Sequence, residues 1–234
     1  MSSSDNSSDK KEKTTVYLVR HGTTAWNQQL RYQGRADNPL DEVGEKQGAL
    51  LKKYFEDIHV DLGITSPLQR AVKTLEYALS SQKHPVPVIV EPDITEFDFG
   101  DADGLTKEEI SVKYPVFYRK YILDEDRPHA AAPGGETLAQ VYERMSRCIL
   151  RIAREHPGKT IVAASHGTAI QMFLNYASGI PAERIRRFLL YNVCVSCVEI
   201  DPEGNTEVRY ICDMHHVPEE LRFAYNHQDH SQKT

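Results

Sequence analysis

Short apolar runs rich in β-branched residues alternate with longer stretches of helical periodicity from Thr15 to about Ala224, and this alternation constrains the fold more than any other feature. It predicts βαβ units and a largely parallel sheet. Thr15 to Val19, Val60 to Thr65, Val86 to Val90 and Thr160 to Ala164 read as four strands, each nearly continuous in apolar residues, as strands covered on both faces are. Ser66-Pro67 offers a helix N-cap followed by proline at the first helical position, and Thr106 with Glu109 has capping-box spacing. Between Thr137 and Arg154, residues Leu138, Val141, Met145, Ile149 and Ile152 fall on one helical face. Val193 to Ile200 and Thr206 to Cys212 flank a turn-rich Asp201-Pro202-Glu203-Gly204-Asn205 and read as a hairpin. The expectation is a single α/β domain over 15–223, its mostly parallel central sheet flanked by helices on both faces, with a disordered N-terminal arm at 1–14 and a disordered tail at 224–234.

A chain of 234 residues, 40% hydrophobic, is long enough to bury a sizeable core. Its net charge of -6 gives no reason to expect a nucleic-acid partner. The first 14 residues are mostly Ser, Asp and Lys with no apolar h-region, and no stretch is long and apolar enough to span a membrane, so neither a signal peptide nor a membrane partner is expected. Cys148, Cys194, Cys197 and Cys212 lie in apolar stretches and mark out no disulfide framework, which points to a reducing, cytoplasmic setting.

Four groups suited to anion chemistry follow the C-terminal ends of four different strands: Arg20-His21-Gly22, Arg70, Glu96 and Ser165-His166-Gly167. Ligands of open α/β sheets bind outside the carboxyl ends of the strands, so these groups should converge. The two glycines would let backbone approach a ligand, and a helix starting near Thr168 would aim free N–H groups at an anion. Singly, each residue has a plain reading: His21 as a hydrogen-bonded loop histidine, Arg70 as a surface ion pair, Glu96 as a solvated charge. Together, two arginines and two histidines at one sheet edge are costly to bury without a bound anion, and a phosphate dianion supplies that charge.

The block Leu18-Val19-Arg20-His21-Gly22-Thr23-Thr24-Ala25-Trp26-Asn27, followed by Arg31, Gln33-Gly34, Asp37, Pro39-Leu40, Gly44 and Gln47, resembles the signature of the histidine phosphatase superfamily. Further blocks follow in that family's order: Ser66-Pro67-Leu68 with Arg70-Ala71 and Thr74, Glu96 with Phe99-Gly100 and Gly104-Leu105-Thr106, Pro133-Gly134-Gly135-Glu136, and Ser165-His166-Gly167. The likeness runs from Thr15 to about Val217, with Asn192 and Asp213 to His216 as weaker echoes. It implies the phosphoglycerate mutase-like fold and a small-molecule phosphate ester, a sugar phosphate or bisphosphate included, as the partner. It further implies that His21 is the nucleophile, that Arg20, Arg70 and a protonated His166 hold the phosphoryl oxygens, and that Asn27, Thr23, Gln33, Gly34 and Gly167 bind substrate. Glu96 would be acid and then base, its proton affinity raised by burial or by Asp98 and Asp101.

By the same resemblance the reaction needs no cofactor and no metal, the arginines taking the place of magnesium. Cys194 and Cys197, three apart in a strand, would lie on opposite faces and read as buried apolar cysteines. His216 is implied at the pocket edge, while His227 and His230 read as solvated. Mutases of the family carry Arg-His-Tyr-Gly after the acid; Phe97-Asp98-Phe99-Gly100 stands here, which favours water as the acceptor. Ala102-Asp103 replaces the Trp-Glu usual in phosphatase relatives, a change expected to reshape the pocket wall. A lid over 107–136, holding Lys113, Tyr114, Tyr118, Arg119, Tyr121, Arg127 and His129, is where substrate choice would reside. A cofactor-dependent phosphoglycerate mutase and a non-catalytic phosphate-binding protein stay open as alternatives.

Overall fold

The computed structural model describes residues 12–222. The arm up to residue 11, the tail from 223, and with it His227 and His230, lie outside the described residues. Six strands form one sheet in the order β3-β2-β4-β1-β5-β6: β1 (Thr14–Arg20), β2 (Leu62–Thr65), β3 (Val88–Val90), β4 (Thr160–Ser165), β5 (Val195–Ile200) and β6 (Thr206–Asp213). The first four are mutually parallel, and β5 and β6 add an antiparallel hairpin beside β1. The result is a single-domain α/β fold with a mostly parallel sheet. Between the strands run α1 (Ala25–Gln28), α2 (Glu42–Tyr54), α3 (Gln69–Leu79), α4 (Lys107–Lys113), α5 (Pro115–Phe117), α6 (Leu138–Glu155) and α7 (Gly167–Ala177).

Alternation along β1 shows how the helices divide. Thr14 donates its hydroxyl to Ala153 O and His156 O at the end of α6, and Arg20 lies against Gly167 at the start of α7. Tyr17, on the other face, meets Phe55 just past α2, ring edge to ring face at 5.6 Å. Helices therefore cover both faces, and Val16, Leu18, Ile64 and Ile161 to Ala164 are buried between them. The apolar stripe of α6 is buried along its whole length, and Thr137 caps it with Gln140 returning the bond.

Two expectations need correction. The strand β3 is not covered on both faces: Val88, Ile89 and Val90 are all exposed, because it is the sheet's edge. It is also shorter than read, since Pro87 precedes it and brings no N–H to the ladder; Pro87 serves only as acceptor, from Gly63 N. Nor does Ser66 cap a helix. The cap position before α3 is Leu68, whose side chain cannot bond, and Asp37 from a distant loop accepts from Gln69 N at 2.7 Å instead. Ser66 Oγ accepts from Leu68 N at 3.2 Å and faces His166, 2.8 Å from Nε2. The capping box at Thr106 and Glu109 stands as read.

Candidate active site

The C-terminal ends of β1, β2 and β4, with the segment that follows β3, bring Arg20, His21, Arg70, Glu96 and His166 together. His21 is 4% exposed, and its Nδ1–H donates to Gly22 O at 2.6 Å, so the lone pair lies on Nε2. Burial and the charges of Arg70 and Arg20 hold the ring well below the ordinary histidine value, so it is neutral. Asn192 fixes the same residue from behind, donating Nδ2 to His21 O at 2.8 Å. The His166 ring centroid is 5.1 Å from that of His21.

The surroundings of His166 work against the protonated state expected of it. It is fully buried, and burial, Arg70 and His21 hold its ring well below the ordinary histidine value, with Nδ1 bare of any hydrogen-bond partner. Glu96 differs as well. Its Oε1 accepts from Phe97 N and Ala169 N at 2.8 and 3.0 Å, and Oε2 accepts from Thr168 N at 3.1 Å. The N–H groups of Thr168 and Ala169 in the first turn of α7 are taken by this carboxylate and are not free for an anion. Asp98 and Asp101 do not surround it: Asp98 caps Gly100 N, and Asp101 is exposed.

The two arginines do different work. Arg20 donates Nη1 to Leu190 O at 2.5 Å and lines the cavity, its Nε buried and unpartnered. Arg70 is fully buried behind the cavity wall, donating to Ala36 O and Gly34 O at 2.7 and 2.9 Å, and burial pulls its guanidinium down to about 10. Gln33, oriented by its hydrogen bonds, donates to Thr24 Oγ1 and accepts from Arg70 Nε and Nη1. The charge of Arg70 lowers the proton affinity of both His21 and His166. Gly34 contributes its carbonyl to Arg70 and its N–H to Asp103; neither it nor Thr23 lines the cavity, Thr23 being held by Gln47 and Asp41. Asn27 does line it, and with Oδ1 committed to Thr24 its amide N–H2 is what remains for a ligand.

The two glycines meet different neighbours. A Cβ on Gly22 would meet Gly44 O of α2 at 2.7 Å, whereas one on Gly167 would crowd Arg20 Nε at 3.3 Å. Gly22 serves helix packing and Gly167 the site.

Asp103, expected to reshape the wall, has another task. Its carboxylate accepts from Gly34 N, Arg35 N and Ala36 N at 2.8 to 3.0 Å, pinning the loop whose carbonyls hold Arg70. Phe99, not residue 102, forms that part of the wall. Arg144 was not singled out in the sequence. It reaches Glu136 at 2.7 Å and donates to Asp93 O, Thr95 O and Glu96 O, so the Pro133-Gly134-Gly135-Glu136 block and α6 together fix the backbone of the acid.

The cavity measures about 210 Å³, below the roughly 300–1,000 Å³ of drug-sized ligand sites, and suits a phosphate on a short skeleton. Of the lid residues, Tyr121 and Arg127 line it; Lys113, Arg119 and His129 are exposed, and Tyr114 and Tyr118 do not line it. The far wall is Arg187 to Leu190, which sequence reasoning missed because a loop after α7 carries no motif. His216 is not at the cavity; it packs on Tyr54, ring centroids 4.8 Å apart, and donates Nε2–H to Val193 O. Cys194 lies before β5 and meets Cys212, not the far side of Cys197. Among the described residues no three His, Cys, Asp or Glu side chains lie together as a metal site, and no helix is long and apolar enough to cross a membrane.

The family model of the histidine phosphatase superfamily (branch 1) matches residues 16–213. An uncharacterized phosphatase, PhoE, of Bacillus subtilis (strain 168) is 34% identical over 190 residues, spanning 81% of this chain and 90% of its own. A probable phosphoglycerate mutase, GpmB, of Cronobacter sakazakii is 32% identical over 184 residues, 79% of this chain and 84% of its own. The solved structure of YhfR from Bacillus stearothermophilus matches with a TM-score of 0.80 at 28% identity, covering 88% of this chain and 100% of that one.

Proposed function

The chain belongs to the histidine phosphatase superfamily and is a phosphate monoester hydrolase; we propose that it acts on small phosphate esters through a phosphohistidine on His21. The observation that carries this reading is the state of His21: buried, neutral, with Nδ1 tied to Gly22 O and its other nitrogen at a cavity lined by Arg20, Asn27 and Glu96.

In the first step the Nε2 lone pair attacks phosphorus in line with the ester oxygen, the P–O bond breaks, and Glu96 in its acid form gives the leaving oxygen a proton. Oε2 accepts a single N–H bond, which leaves it a lone pair to carry that proton. The Nδ1–H bond to Gly22 O supports the positive charge on the phosphorylated ring. Arg20 and the amide of Asn27 donate to the equatorial oxygens. His166 joins them as a neutral donor: with the Ser66 hydroxyl donating to Nε2, Nδ1 carries the hydrogen. In the second step water attacks phosphorus, Glu96 takes its proton, and the P–N bond breaks to restore the imidazole.

Water is favoured over a second phosphate acceptor because Phe97-Asp98-Phe99 brings no extra cation after the acid, and Phe97 and Phe99 pack into an aromatic cluster with Tyr121. The test is phosphate release from a panel of monoesters with chelator present, comparing wild type with His21→Ala. Release that survives chelator and is lost by several orders of magnitude in the variant supports the proposal. Release that needs added metal, or isomerisation of monophosphoglycerate without net phosphate, would sink it.

A further inference from the structure

Two thiols stand behind the segment that holds Arg20 and His21, and the phosphoryl chemistry uses neither. Cys194, just before β5, is fully buried, whereas Cys212, near the end of β6, is partly exposed. A bulge brings them together. Val195 is paired with Asp213 and Cys197 with Tyr210, so Ile211 and Cys212 share the place across from Ser196. Cys212 takes the left-handed conformation, φ 58°, that a β-carbon disfavours, and its N–H turns to Ser196 Oγ at 3.0 Å. Its side chain is in hydrogen-bond contact with the Cys194 thiol and accepts from Tyr191 N at 3.5 Å. The bonds from Cys194 and Tyr191 N, with the charge of Arg20, lower the Cys212 thiol, while the shared bond and burial raise Cys194. The same segment is tied to the catalytic residues. Leu190 O accepts from Arg20 Nη1, Asn192 donates to His21 O, Val193 N donates to Arg20 O at 3.0 Å, and Cys194 O accepts from Arg20 N at 3.2 Å.

We propose that Cys212 and Cys194 are an oxidation site for hydrogen peroxide, and that their disulfide turns the enzyme down by drawing the segment 190–194 away from Arg20 and His21. The Cys212 thiolate attacks one peroxide oxygen, the O–O bond breaks, and the departing hydroxide takes a proton to become water, leaving a sulfenic acid. The Cys194 sulfur then attacks the Cys212 sulfur, the S–O bond breaks, and the hydroxyl leaves with the Cys194 proton as a second water. The two sulfurs lose two electrons and the peroxide gains them. A dithiol reverses the bond by exchange. Closing two sulfurs from hydrogen-bond contact to a bond of about 2.05 Å pulls the chain inward, and a misplacement on the order of 1 Å near reacting groups costs about 10²-fold.

The full chain is treated with hydrogen peroxide, its remaining thiols are blocked, and half is returned to dithiothreitol. Mass spectrometry of the unreduced tryptic digest should show the Cys212 peptide joined to the peptide holding Cys194 and Cys197, with fragmentation assigning the bond to Cys194. This readout needs no turnover. Hydrolysis of p-nitrophenyl phosphate should fall roughly tenfold to a hundredfold in kcat/KM on oxidation and return with dithiothreitol. Cys212→Ser, whose hydroxyl keeps an acceptor for Tyr191 N, should hold the untreated activity and lose the response, and Cys148→Ala should respond as wild type does. Thiols that only fill space would give no joined peptide. Absence of the Cys194–Cys212 bond in wild type, a bond formed with activity intact, or inactivation that persists in Cys212→Ser overturns the proposal.

Discussion

At His21 and Glu96 the chemistry depends on charge states that neighbours impose. Because the pKa of His21 is depressed, the imidazole is neutral well into acid, so the acid limb of kcat/KM belonging to it should lie below pH 6.5, the ordinary histidine value. A pH–rate profile checks this, and an acid limb at or above the ordinary value would contradict it. Glu96→Gln should lower kcat for alkyl phosphates by about 10²- to 10⁴-fold, since their alkoxides need the proton, and cost far less with p-nitrophenyl phosphate, whose leaving group does not. Equal losses on both would remove Glu96 from the acid role. The residue types of the site were legible in the sequence because each follows a strand end. Their states were not: burial and neighbouring charge lower the His166 ring, and Glu96 accepts from the first turn of α7, both of which only the folded arrangement creates.

Among the elements, the loop Gly34 to Ala36 shows how far support lies from the chemistry. Three of its N–H groups converge on Asp103, and its carbonyls hold Arg70. Asp103→Ala should cost about 1–3 kcal/mol of stability, read in urea melts, from the donors it orphans. It should also reduce kcat/KM on the order of 10²-fold by letting Arg70 shift. A variant less stable but fully active would show that Arg70 is held without Asp103. The strands β1 and β4, the hairpin and α6 were readable from periodicity, since a buried apolar run leaves little alternative. The edge strand β3 misled because Val88, Ile89 and Val90 have the composition of a central strand while Pro87 marks an edge. The start of α3 misled because its capping group, Asp37, comes from another part of the chain.

Across the whole molecule, His21, His166 and His216 are held below their unfolded value by burial, His216 to about 4. The unfolded chain then binds more protons, so this contribution to stability is complete above about pH 6.5 and is lost as pH falls through the folded values. Urea midpoints should therefore drop between pH 6.5 and 4, and less steeply in His216→Gln, which keeps the donor to Val193 O. An unchanged slope in that variant would contradict the assignment. The proposed mechanism turns on the covalent step at His21. The most direct measurement is an alkaline quench of enzyme during turnover, followed by mass spectrometry of the His21 peptide. A phosphoryl group on His21 that appears and decays at rates compatible with kcat is the expected result, and turnover with no phosphate on that peptide would contradict it.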